Sequence, residues 1–209
     1  MKRTLALIAL AAASSMASAQ AVTGIVGGSQ FGSYHGGTVA GDVVGWSFDV
    51  NTSIVLTDLG VWNQDTQIGF EGLTSDHMIG LWDSSGNLLT SGVAGPGGTI
   101  VGDWTYADVL DVILSVGERY TIGALYNAGG LEDGDSYISS PSSMSLASEI
   151  NATTNGVFAT DPDLGFVFPG SDSTNLGRFG PNFLFAPVPA PGSIAILGLG
   201  GLVATRRRR

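Results

Sequence analysis

The 209 residues contain no cysteine. Disulfide frameworks, thiol nucleophiles and thiolate metal sites are therefore excluded, and an exported fold would have to rest on an ordinary core. Basic residues are nearly as scarce. Lys2 and Arg3 stand at the start and Arg206 to Arg209 at the end, which leaves only Arg119 and Arg178 between Gln20 and Pro191. All 18 acidic residues lie in that stretch, so two cations against 18 anions give it a net charge of −16. Such a surface repels nucleic acid phosphate, and nucleic acid is excluded as a partner. Histidine is limited to His35 and His77. They are too far apart in sequence to read as a metal pair or a serine triad. His77, at a strand start, reads as a packing or hydrogen-bonding residue, and His35 as a surface loop residue.

What is present begins with a short basic region, Met1 to Arg3, followed by an apolar stretch from Leu5 to Ala13 and the small-residue triplet Ala17-Ser18-Ala19. This order is that of a secretory signal peptide, residues 1–19, cut by signal peptidase between Ala19 and Gln20. The remaining body, 20–187, has about 170 residues and is long enough to bury a core as one domain.

Within the body the apolar pattern has period two. In GDVVGWSFDV, Val44, Trp46, Phe48 and Val50 alternate with their neighbours, which predicts a strand with one buried face. SIVLTDLGVW changes parity between Leu56 and Leu59, which predicts a bulge or bend near Thr57 and Asp58. HMIGLWD, the polar Ser84-Ser85-Gly86-Asn87 and Leu88-Leu89 predict a hairpin. TIVGDWTY, DVLDVILSV, RYTIGALY, LGFVF and NFLF supply further strands, about nine in all. Only Ser142–Ile150 reads as a helical turn or two. The expected fold is all-β, an antiparallel β-sandwich of jelly-roll or Ig-like type, with an N-terminal signal helix and a short C-terminal membrane helix.

The stretches GWSFDV, LTDLGVW, GLTSDHMIGLWDSSGNLL, GERYTIGALY and FGPNFLF, in this order, resemble a widespread, functionally uncharacterised exported β-sandwich domain of bacteria, over Thr38 to Phe185. No catalytic residues accompany that resemblance. The chain end resembles a PEP-CTERM sorting signal: the motif Val188-Pro189-Ala190-Pro191-Gly192, an apolar run 193–205, then Arg206, Arg207, Arg208 and Arg209. Ala190 stands where that pattern has glutamate. The resemblance implies export, transient membrane anchoring, and processing by an exosortase-like enzyme onto the cell surface or extracellular polysaccharide matrix. Thirteen helical residues rise about 20 Å against a hydrocarbon core of about 30 Å, a poor permanent anchor, while the arginines hold the cytoplasmic side. The prolines keep the segment just outside the membrane non-helical, as a processing enzyme requires.

Catalytic constellations are not legible. No pair of carboxylates stands out as a glycosidase acid and base. No cofactor is expected, with calcium the one candidate ligand, at Glu132, Asp133, Asp135, Asp161 and Asp163, whose spacing does not match an EF-hand loop. Trp46, Trp62, Trp82 and Trp104 fall in apolar strands and read as core rather than as a sugar-stacking platform. The expectation is a non-enzymatic secreted structural or interaction protein. The alternatives are a carbohydrate-binding module and, behind it, a glycoside hydrolase.

Overall fold

The computed structural model describes residues 18–32, 42–65, 70–126, 135–160 and 165–188. Every regular element among them is a strand. In chain order these are β1 (Ala19–Gln20), β2 (Val22–Val26), β3 (Ser29–Gly32), β4 (Asp42–Val50), β5 (Ile54–Trp62), β6 (Gln64–Asp65), β7 (Phe70–Glu71), β8 (His77–Asp83) and β9 (Leu88–Ala94). They continue with β10 (Thr99–Val101), β11 (Trp104–Leu114), β12 (Arg119–Tyr126), β13 (Ser136–Ser139), β14 (Ser143–Leu146), β15 (Ile150–Thr160), β16 (Ser171–Leu176), β17 (Arg178–Phe179) and β18 (Pro181–Pro187). The stretches expected to be helical, Leu5–Ala13 and 193–205, lie outside the described residues.

Two antiparallel sheets face each other across one core, the layout of a β-sandwich. One has the order β1-β18-β5-β11-β10 and the other β16-β15-β4-β12-β8-β9. Period-two alternation builds the interior: Val44, Trp46, Phe48 and Val50 of β4 are buried, as are Ile79 and Leu81 of β8 and Ile122 and Ala124 of β12. The opposite layer supplies Leu56, Leu59 and Val61 from β5 and Phe183 and Phe185 from β18. The two layers meet where Phe183 stacks on Trp46 at 6.1 Å and on Phe48 at 4.9 Å between ring centroids. The Trp46 indole N–H donates to the Pro181 carbonyl at 2.8 Å, so this fully buried ring leaves no polar atom unmatched.

The parity change in β5 is a bulge. Against β18, Leu184 pairs with Asp58 and Phe185 with Leu56, so Thr57 is the extra residue; at the same level β11 bulges in turn, with Asp108 pairing with Asp58 and Val112 with Leu56. The β8–β9 hairpin forms through the turn at 84–87, where Gly86 takes φ of 80°.

Three expectations are corrected. Ser142–Ile150 is not helical: Ser143–Leu146 is β14, paired with β2, because its serines and its Met144 and Leu146 alternate between exposed and half-buried positions. Gly165–Phe168 is not a strand but a loop, since its apolar side chains all serve to cover another surface. TIVGDWTY is not one strand but two, β10 and the start of β11, which pair with each other through a turn at Gly102 and Asp103.

Candidate functional site

Three arrangements among the described residues bear on function. The first is the pair of chain junctions. Ala19 pairs with Phe185 and Gln20 with Leu184, antiparallel, so the chain enters the sheet beside the strand by which it leaves. The Gln20 side-chain amide donates to the Val101 carbonyl and to the Tyr106 hydroxyl, both at 2.9 Å. Burial pushes that hydroxyl well above its ordinary pKa, which keeps it a neutral hydrogen-bonding group. Ala21, the next residue, is fully buried. Val188 follows β18 directly and is exposed. Of the predicted processing residues, Ala19, Gln20 and Val188 are thus placed at one edge of one sheet. Pro189, Ala190, Pro191, Gly192 and Arg206 to Arg209 lie outside the described residues.

The second is a buried histidine–aspartate pair. His77 opens β8 on its core side, and its Nε2 lies 2.8 Å from Asp135 Oδ2. Its Nδ1 lies 2.9 Å from the Leu125 carbonyl oxygen, which can only accept, so Nδ1 carries a proton. The Asp135 carboxylate also accepts from the Thr74 amide at 2.8 Å and the Ser75 amide at 3.0 Å. The Tyr126 ring packs against the imidazole at 4.7 Å. The arrangement is closed to solvent, with His77 1% exposed. It clamps the segment before β8 to the start of β13, which is a positioning role.

The oxygens of Asp135, a calcium candidate by sequence, are engaged by N–H groups that a cation would have to displace. Its companions Glu132, Asp133, Asp161 and Asp163 lie outside the described residues. Among the described residues no three His, Asp or Glu side chains converge as a metal site. The reading of His77 as a hydrogen-bonding residue holds; His35 lies outside the described residues. The partnership with Asp135 was not visible in sequence, because 58 positions separate the two.

The third lies on the outer face of the six-stranded sheet. Gly123 pairs with Gly45 on one side and with Gly80 on the other, a row of three glycines across β4, β12 and β8. The row leaves a shallow lane. The Trp82 indole and Phe166 lie so close to Gly80 that a Cβ there would meet both at 2.8 Å. Pro169 lies over Gly123 at 3.0 Å from such a Cβ. Phe166 and Phe168 stand 5.2 and 6.1 Å from Trp82, tilted 42° and 61° to it, so the three rings form a wedge and not a flat sugar-stacking platform. All four tryptophans are buried, as expected. Beside the lane the hairpin turn is tied by Asp83, which accepts from the Ser85 and Asn87 amides and the Asn87 side chain at 2.8 to 2.9 Å. The Asn87 side-chain hydrogen bond, first among these, holds the carboxyl below its ordinary pKa.

The chain matches, over residues 34–177, a family described as a domain of unknown function, DUF4082. Neither the curated proteins nor the solved structures gave a match. The matched stretch takes in β4 to β16 and with them the glycine lane and the His77–Asp135 pair, while β1 and β18, which carry the junctions, fall outside it. With more than half of its length matched, the chain belongs to the DUF4082 family.

Proposed function

We propose that this is an exported, non-enzymatic β-sandwich protein, carried to the cell surface or extracellular matrix and sorted through residues 188–209. The observation that supports this reading most is the placement of the junctions: the segments before Ala19 and after Val188 leave one closed body side by side. Both are apolar in sequence, Leu5–Ala13 and 193–205, and each is bounded by a motif suited to cleavage. Among the described residues, the large buried cluster between the two layers runs from Ala21 to Phe185. In this reading signal peptidase cuts at Ala19–Gln20. The tail then holds the body at the membrane until an exosortase-like enzyme acts near Val188-Pro189-Ala190-Pro191-Gly192.

The tail is the part to test. Replacing Arg206 to Arg209 with serine removes the charges that stop the chain, and processed protein should fall several-fold. Lengthening the run 193–205 to about 20 leucine-rich residues, enough to span about 30 Å, should give unprocessed, permanently anchored protein. Unchanged processing in both variants would refute the sorting role.

A further inference from the structure

The end of the sandwich from which the chain leaves has a definite composition. Pro187 pairs with Ile54, which pairs with Leu114, so the exit lies level with the turns at 51–53 and 115–118. These turns are joined: the Val116 amide donates to Ser53 Oγ at 3.3 Å, and the Gly117 amide to the Val50 carbonyl at 3.0 Å. Val116, at the turn tip, is 59% exposed and Ile113, one residue inside β11, is 65% exposed. Val188 joins them as the chain leaves.

The length of chain that follows limits where this end can be. Five residues, 188–192, separate β18 from the apolar run, and at no more than about 3.6 Å per residue they reach at most about 18 Å. The body itself is longer than that: the nine residues of β5 extend about 30 Å from the exit end to the turn at Gly102 and Asp103. A tether shorter than the body holds the near end at the bilayer at high effective concentration, so a few aliphatic side chains suffice to seat it.

We infer that, in the anchored form, the exit end of the sandwich rests on the lipid surface through Val116, Ile113 and Val188, with the Gly102–Asp103 turn directed away. The inference rests on the tail-anchoring reading above. The occupant is a zwitterionic lipid surface of no net charge. Near this end Glu118 and Glu149 carry carboxylates, and Asp49 is already paired with Arg119, so no net positive charge is offered to anionic headgroups.

The absence of cysteine allows a single label to be placed at will. Val116→Cys and Asp103→Cys chains that begin at Gln20, as after signal removal, and keep the tail to Arg209, each carrying a fluorophore, would be reconstituted in phosphatidylcholine vesicles containing a lipid-confined quencher. Co-flotation with the vesicles is scored first. Quenching at position 116 several-fold above that at position 103 is the expected result. Bound chains with equal quenching at both positions, or more at 103, would overturn the seating and leave the anchoring reading intact. Chains that do not float with the vesicles would overturn the anchoring reading and the seating with it.

Discussion

The two faces of the six-stranded sheet bury their surfaces by opposite means. The inner face carries Trp46, Phe48, Ile79, Leu81 and Ile122, large side chains in the alternating positions of central strands, pressed against Phe183 and Phe185 of the facing sheet. The outer face removes side chains instead. Gly123 and Gly80 leave room for the Trp82 indole, and a single loop, Phe166 to Pro169, closes over it with Val43 and Leu125. The inner face is held by two whole layers and the outer face by a strap of a few residues. Global stability should therefore follow the inner face and local opening the outer one, because the free energy of local opening scales with the contacts an element makes.

Substitutions can set the two faces against each other. Trp46→Ala empties the centre of the core and breaks the hydrogen bond to Pro181; it should destabilise by about 3–5 kcal/mol in urea unfolding. His77→Ala removes the buried hydrogen bonds to Asp135 and to the Leu125 carbonyl, and a loss of about 1–3 kcal/mol is expected from the same measurement. If His77→Ala were within experimental error of wild type, the pair would not be the clamp described here. On the outer face Gly123→Val drives a side chain into Pro169 and Trp82 and should cost about 1–3 kcal/mol. Its signature is faster amide exchange confined to residues 165–170. Exchange raised uniformly across the sheet would instead mean that strap and core open together.

The smallest effect belongs to the exposed Arg119–Asp49 pair, joined at 2.9 and 3.0 Å. Arg119→Met should change stability at pH 7 by under about 1 kcal/mol, because the pair is solvated. The pH dependence gives the sign. The Arg119 hydrogen bond holds the Asp49 carboxyl below its ordinary pKa, with the arginine's charge adding to it. Its contribution is therefore present above the unfolded-state pKa and is lost as pH falls through the lower folded value. In Arg119→Met the acid-side fall in stability should be shallower than in wild type; a steeper fall would contradict the pairing.

The same contrast explains what could be read from the sequence. The inner face was legible because each strand announces its own alternation: Val44 to Val50 could be assigned without knowing any partner. The bulge at Thr57 was legible too, since a parity change within one strand requires it. The outer face was not, because Gly45, Gly80 and Gly123 acquire meaning only through register, which brings together residues far apart in the chain. Phe166 to Phe168 looked like a strand because apolar residues covering a lane have the same composition as apolar residues filling a core. β15 escaped for a related reason: its first half, Asn151 to Asn155, is polar and ends in a register shift before Gly156, so no alternation survives. At the candidate sites, the junction motifs were local and readable, whereas the His77–Asp135 contact joins residues 58 positions apart.

The proposed sorting role is the central claim, and the intact mass of the protein recovered from the cell surface and matrix tests it most directly. The account predicts one species that begins at Gln20, ends between Val188 and Gly192, and lacks the run 193–205 and Arg206 to Arg209. Molecules that retain Arg209 in the majority would contradict it and make the tail a permanent anchor.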